Sequence, residues 1–566
     1  MDEPAQFGEE TRRNIAEVAE LVAEMFRPCL GPLGMAKLVK DKDGLWLSDD
    51  PGLLLSKAGL QNPTAKILSD SAASITKSVG DGACSFLIII ARLLKGAKEL
   101  VDKETRPNTI VNGWRLALDH CLQSPGCFPI EPSDRLGLSK VAKTVISDYS
   151  SVGTEALARL TVDALSTVPA TESIDLNNFY VERAEGGAVG DSFLVKGLAM
   201  PHELGDPMGP RSAKMARIAL LKGEMNEWKP PNWRADTKIE VGASNGILSV
   251  LTARTKFLTG LADCVVRSGA NVVFIEKGMN PIAIEYLSKH GVMVVRRVVI
   301  EGLERLARAT GGRIVYDIRS LSRDDLGFAG LVESRMLSNH EWVFVEGCKD
   351  PKAVTFVLRR ESDTLLNSTS RLVKRSIKAV KEAQMSRQVV YGGGAWEEYL
   401  AQRLRVLSLQ CDGRRQLAVN LFGEALEEIA STLAENAGMD QIKTIADLRA
   451  SHANGGHSIG IDSRHRKLAD MAKLGVLDPF SVKRRVLLAA FGVGAMLIRI
   501  DKMIIQRELF GEEKILKERE KHTDPERMEK RRREYGGMEK LESPRWRPSK
   551  ETRKIRREPA PWLVDR

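Results

Sequence analysis

Val79-Gly80-Asp81-Gly82-Ala83-Cys84-Ser85 opens a long apolar run from Phe86 towards Leu100. The run reads as a helix, and the two glycines in front of it let the backbone come close to a ligand. A helix start also offers unpaired N–H groups and a positive dipole end, which together suit a phosphate. Asp81, between the glycines, can hold a divalent metal that bridges phosphate oxygens, since a hard cation takes carboxylate oxygen. The same residues also suit a plain glycine loop before a buried helix, and only the rest of the chain separates the two readings.

The chain has 566 residues, more than one hydrophobic core usually supports, so two to four domains are expected. With 43% hydrophobic and 28% charged residues, its composition is that of a soluble globular protein. The net charge of +10 says little about a partner of the folded part, because much of the excess follows Lys502. Seven scattered cysteines, an odd number without a C-x-x-C pair, read as reduced thiols in a cytoplasmic protein and not as a disulfide frame or zinc site. The start, Met1-Asp2-Glu3-Pro4, lacks a signal-peptide core, and no apolar run is long enough to span a bilayer, so no membrane partner is expected. His452, His457 and His465 lie around Asn454-Gly455-Gly456 and read as a polar loop, not a metal site.

Apolar residues from Ile15 to Met25 recur at helical spacing and give an amphipathic first helix that stops at Pro28. Leu30-Gly31-Pro32-Leu33-Gly34-Met35 is a glycine-rich turn, and Leu45 to Leu55 reads as a weak hairpin around Asp49-Asp50-Pro51-Gly52. Strands take over from Ile174, with Phe179 to Glu182 and Ser192 to Val195 flanking Gly186-Gly187. From Ala216 to Val345 short apolar strands alternate with amphipathic helices, which implies an α/β domain with helices on the sheet faces. After the strand Ala353 to Leu358 the chain is helical again to about Asp501. One helical domain is thus expected from both ends of the chain, with an α/β insertion between them. Beyond Phe510 a tail dense in Lys, Arg and Glu is expected to be disordered or a lone solvated helix.

Seven stretches, in order along the chain, resemble the group II chaperonins, the family of the archaeal thermosome and the eukaryotic cytosolic chaperonin. They are Leu30-Gly31-Pro32-x-Gly34-Met35, Gly80-Asp81-Gly82, Ser268 to Phe274, Cys348 to Thr355, Gly392-Gly393-Gly394, Leu433 to Gly438 and Gly475 to Pro479. A single Gly-Asp-Gly is weak, whereas seven collinear stretches spanning residues 11 to about 501 are specific. The resemblance implies a mainly α equatorial domain from residues 1–145 and 395–510, and an α+β intermediate domain from 146–208 and 358–394. Between them it implies an α/β apical substrate and lid domain, 209–357, with the charged tail at 511–566. ATP and magnesium are the implied cofactors. The implied nucleotide site is Leu30, Gly31, Pro32, Asp81, Gly82, Ala83, Cys84, Gly392, Gly393 and Asp478, with Asp81 on the metal and Asp478 on the ribose. Implied partners are non-native polypeptide and other chaperonin subunits, alike or mixed, in a double ring. Polypeptide contacts would map near the helix Pro281 to Lys289 and a lid near Asn245 to Ser268, although no individual substrate-binding residue is assigned.

The resemblance breaks where hydrolysis is concerned. The family needs a carboxylate on the helix before the triple glycine, aimed at the water that attacks the γ-phosphate. Counting back from Gly392 without a gap, that position is Arg375. A guanidinium accepts no proton and cannot orient the water as an acceptor. The two threonines of the phosphate loop are Ala83 and Cys84, and the usual Lys and Asp of the first loop are Leu33 and Ala36. The family's Asn-Asp-Gly turn reads Asp49-Asp50-Pro51-Gly52, which leaves Asp50 as the remaining candidate for a second catalytic carboxylate. Pro51 forbids the positive φ that a glycine would adopt there.

Three functions are consistent with these residues. The first is a chaperonin subunit that encloses non-native polypeptide, binds nucleotide and hydrolyses it poorly. The second is a chaperonin-fold scaffold without a nucleotide cycle. The third is nucleic-acid binding through Arg531-Arg532-Arg533, Trp546 and Trp562 of the tail, against which the many glutamates there weigh. Whether the protein is an ATP-hydrolysing enzyme is left open by Arg375.

Overall fold

Gly80 and Gly82 sit where two helices meet. Helix Pro63–Val79 ends at Gly80, with φ 86°, and helix Ala83–Asp102 begins after Gly82, with φ 92°. Both angles lie in the left-handed region that glycine adopts freely. Space is equally short, since a Cβ at Gly80 would lie 2.6 Å from the Arg375 carbonyl oxygen. The computed structural model describes residues 5–41, 44–146, 151–167, 175–226, 246–348 and 353–504, and Ala5–Met503 forms one compact unit. The tail 511–566, Asn245 of the expected lid, and residues 349–352 of one signature stretch lie outside the described residues.

Both chain ends build one helical layer, as expected. Helix Gly8–Phe26 buries Ile15, Ala19, Val22 and Phe26 at helical spacing and packs on Ala83–Asp102. Arg414–Asn436, from the far end of the chain, packs on both Ala83–Asp102 and Pro107–Gln123. A Cβ at Gly113 would lie 2.5 Å from that of Ala418, so these helices touch nearly backbone to backbone. The Gly8 N–H donates to the Asp501 carbonyl at 2.6 Å.

In the middle, strand Val354–Arg360 runs parallel to Phe179–Glu185 and antiparallel to Phe193–Val195. The two strands that flank Gly186-Gly187 therefore do not pair with each other, because Val354–Arg360 lies between them. Helices Arg135–Ile146, Ser151–Leu165 and Asp363–Ser386 share a core with this sheet, which includes Val141, Ala158, Phe356, Leu358, Val373 and Ile377.

A seven-stranded mixed sheet holds the α/β part. Val272 and Phe274 enter one core with Leu303 and Leu306 of helix Ile300–Thr310; Val273 and Ile275 enter the opposite core with Ala283 and Leu287 of helix Pro281–Lys289. The period of two thus places apolar side chains on both faces, each covered by helices. Strand Gly327–Leu337, which pairs with Ser212–Leu221 and His340–Cys348, has no counterpart in the sequence reading. Its Gly330, Glu333, Ser334 and Arg335 hide the apolar alternation. Helix Gly246–Ser268 covers the expected lid segment; Leu258 is core, whereas Leu248 and Leu251 are exposed.

One sequence expectation is corrected. The hairpin is Lys37–Asp41 with Gly44–Ser48, and Asp49-Asp50-Pro51 starts helix Pro51–Lys57. The Asp50 side chain accepts from the Gly52 N–H at 3.0 Å, and Pro51 occupies the first turn, where its missing N–H costs nothing.

Helix Ala395–Leu409 starts after Gly394 and buries Glu398 completely, beside Glu427 and Arg405. Burial first, then the neighbouring Glu427, pushes the Glu398 carboxyl up from 4.5 to about 8. Arg405 and Arg449 hold Glu427 ionised, so the proton of the pair resides on Glu398. The native state therefore binds more protons than the unfolded chain between these values, and stability falls as pH rises through that window. Glu398→Gln is expected to flatten this loss, with Tm measured by calorimetry falling less than wild type's between pH 6 and 9, a difference worth roughly 2–4 kcal/mol.

Candidate nucleotide site

Around the Gly80 turn lies a cavity of about 690 Å³, within the range that holds a small-molecule ligand. Leu30, Gly31, Pro32, Asp81, Gly82, Cys84, Gly393, Asp478 and Arg375 all line it. Residues chosen from separate stretches of sequence are thus brought to one place. Ala83 is buried in the first turn of its helix and does not line the cavity. Gly392 stands just behind the wall, where a Cβ would lie 3.3 Å from Asp478 Oδ2. Asp50 is also outside the lining: Oδ1 accepts from Gly52 and from Thr76 Oγ1, both at 3.0 Å, and its neighbour Asp49 faces the cavity instead.

Each loop is fixed locally. Gly31 has φ 86°, and Asn436 Nδ2 donates to the carbonyls of Arg27 at 2.8 Å and Leu30 at 2.9 Å, which holds the first loop against helix Arg414–Asn436. Gly393 has φ 62° and its carbonyl accepts from the Ile461 N–H at 2.8 Å. Cys84 Sγ reaches the Asp49 carbonyl at 3.7 Å. At the far wall, Lys483 Nζ lies 2.8 Å from Asp478 Oδ2 and 2.7 Å from Glu397 Oε1. Burial opposes the charge on Lys483, but the two carboxylates outweigh it and hold the ammonium well above its usual range. Burial pushes the Asp478 carboxyl up, and Lys483 offsets part of that. Sequence reading missed Lys483 and Glu397; Glu397 lies in the first turn of the helix that follows Gly394, and Lys483 lies in the first turn of a helix that opens after Asp478-Pro479.

Arg375, on helix Asp363–Ser386, occupies the centre. Its Nε donates to the Gly80 carbonyl at 3.0 Å, Nη1 to Asp49 Oδ1 and Oδ2 at 3.1 and 3.0 Å, and Nη2 to Asp81 Oδ1 at 2.8 Å. Burial works against the guanidinium, yet Asp49, Asp81 and Asp50 hold it protonated well above its ordinary value. Asp49 pays the reciprocal effect: burial pushes its carboxyl up, and Arg375 brings it below the usual range. Such an anion is a poor proton acceptor. Every acidic residue lining the cavity has a basic neighbour, since Glu155 pairs with Lys143 and Asp462 with His465, both at 2.7 Å.

Magnesium does not fit this arrangement. Asp81, the carboxylate expected to hold it, is already bonded to a fixed cation, and Ala83 and Cys84 supply no hydroxyl oxygen. Among the described residues no group of three or more His, Cys, Asp or Glu is arranged to hold a metal ion.

The TCP-1/cpn60 chaperonin family model matches residues 22–508. The chain belongs to this family. Among its relatives, a thermosome subunit of Pyrococcus abyssi is 34% identical over 510 residues, 89% of this chain and 92% of that protein. The thermosome subunit alpha of Sulfurisphaera tokodaii is 34% identical over 545 residues, 92% of this chain and 97% of that one. The open-state monomer of a group II chaperonin from Methanococcoides burtonii superposes with a TM-score of 0.57 at 31% identity, covering 75% of this chain and all of that one. The fold is accordingly that of a group II chaperonin, and the chain is a thermosome-like subunit.

The clamp is testable as a structural element. Asp49 and Asp81 are partly exposed, so solvent takes up part of what the clamp supplies, and Arg375→Met is expected to destabilise the protein by roughly 1–2 kcal/mol in chemical denaturation. Asp81→Asn combined with it should recover part of the loss, with a coupling energy of about 1–3 kcal/mol.

Proposed function

We propose that this chain is a chaperonin subunit that binds and encloses non-native polypeptide in a ring assembly, holds a nucleotide in the cavity around Gly80, and hydrolyses it poorly. The observation that carries the reading is the Arg375 guanidinium inside the cavity, bonded to Asp49 and Asp81. At the position where the family keeps a carboxylate stands a cation, and no acid lining the cavity is free of a basic neighbour. Neither acid of the Asp49-Asp50 pair is free to orient a water: Asp50 caps a helix, and both oxygens of Asp49 accept from Arg375.

The domain layout belongs to the same proposal, with equatorial 1–145 and 395–510, intermediate 146–208 and 358–394, and apical 209–357. It is supported by the separate cores of the middle helices and sheet and of the seven-stranded sheet. A cytoplasmic site of action is supported by seven cysteines that are all free, five of them with thiols raised by burial. The ring would contain like or unlike subunits, and in a mixed ring intact neighbours supply the turnover.

Purified alone, the protein is expected to release phosphate from ATP about 100- to 10,000-fold more slowly than a chaperonin with the carboxylate in place, measured at saturating ATP. Native mass measurement should show a ring, and that ring should retain a chemically denatured polypeptide. Turnover at a working chaperonin's rate would overturn the hydrolysis claim, and a monomer that binds no denatured polypeptide would favour the scaffold reading.

A further inference from the structure

We infer that the cavity takes the polyphosphate of its nucleotide as the metal-free anion, with the Arg375 guanidinium standing in for the divalent cation. This rests on the nucleotide reading above and names the ionic form of the ligand. A divalent cation in a phosphate site cancels the charge of carboxylate and phosphate together and bridges their oxygens. Here a protein cation already neutralises one of the two carboxylates at the phosphate loop: Asp49 and Asp81 contribute −2 and Arg375 +1, a net −1. A magnesium ion approaching Asp81 would meet the guanidinium 2.8 Å from one of its two oxygens and would be repelled by it.

A phosphate meets the opposite situation. Four hydrogen bonds account for Nε, Nη1 and one direction of Nη2, and the second Nη2 hydrogen is left for a ligand oxygen. The first turn of helix Ala83–Asp102 adds N–H groups, and its Ser85 hydroxyl also lines the cavity. Two further cations, Lys140 and Arg464, line the same cavity and have no acidic partner among the described residues. Lys140 and Arg464 supply positive charge of the kind that a metal-free polyphosphate, more negative than its magnesium complex, requires of the protein.

ATP affinity of the full-length protein, measured calorimetrically in excess EDTA and in excess magnesium, tests the inference. The two dissociation constants are expected to agree within about threefold, or the EDTA value to be the tighter. Asp81→Asn frees a guanidinium N–H for phosphate and should strengthen binding in EDTA severalfold, whereas a metal-carboxylate site would lose affinity. Arg375→Ala should weaken binding in EDTA by about 10–100-fold and make the remainder respond to magnesium. If that variant does not fold, Asp81→Asn and the wild-type comparison decide. Wild-type binding that magnesium strengthens more than about tenfold overturns the metal-free form and leaves the nucleotide reading standing. No ATP binding in either medium overturns the nucleotide reading itself.

Discussion

The ion pairs of Arg375 are the constraint on which the site depends. One guanidinium bonds Asp49, Asp81 and the Gly80 carbonyl, groups separated from it by 326, 294 and 295 residues of sequence. Helix Asp363–Ser386 is thereby tied to the two loops that wall the cavity. The close approach at Gly80, whose absent Cβ makes room for the Arg375 carbonyl and Lys378, brings the helix near enough for the side chain to reach both carboxylates. A residue larger than glycine at that point would push the helix away and break the clamp.

Position 375 sets how much negative charge gathers at the loops. With a carboxylate there, Asp49, Asp81 and the third acid would converge at −3, a cluster that repels itself until cations arrive. With arginine, the same positions carry −1 and satisfy one another before any ligand binds. The neighbourhood is consistent with this shift. Arg371 Nη2 donates to the Leu47 carbonyl at 2.6 Å, and Lys378 Nζ to the Lys77 carbonyl at 3.0 Å, so one face of the helix offers cations one turn on either side of Arg375. At the other wall Lys483 does for Asp478 what Arg375 does for Asp81.

Much of this was legible in the chain. The apolar run after Gly82 and the return of helical spacing near both ends gave the split helical layer, because the 3.6-residue period survives in the buried faces of Gly8–Phe26 and Ala83–Asp102. Arg375 could be placed by counting back from a glycine triplet that has one possible register. Its partners could not, since pairing across some three hundred residues leaves no local pattern. The choice between Asp49 and Asp50 did have a signal: Asp followed by Pro marks a helix N-terminus, which commits Asp50 to the cap and turns Asp49 inward. Strand Gly327–Leu337 escaped for a different reason, since its outward residues include Glu333 and Arg335 bonded to each other at 2.8 Å, and such a strand resembles a polar loop.

A preformed clamp also limits what a nucleotide can do mechanically. A ligand shifts a conformational equilibrium only by the difference in its affinity for the two states. If the helix bearing residue 375 is held against the phosphate loop only through a bound metal and phosphate, arrival of ligand supplies the whole difference. Here the guanidinium bonds three partners from the protein itself, so the same arrangement holds with one of the two carboxylate charges already offset. On the proposed reading, a nucleotide adds contacts to an arrangement that exists without it, and the free energy available to move the helix shrinks accordingly. On that reading, poor hydrolysis and weak coupling between ligand and helix position have one origin, since the guanidinium that accepts no proton is also the group that bonds the loops together.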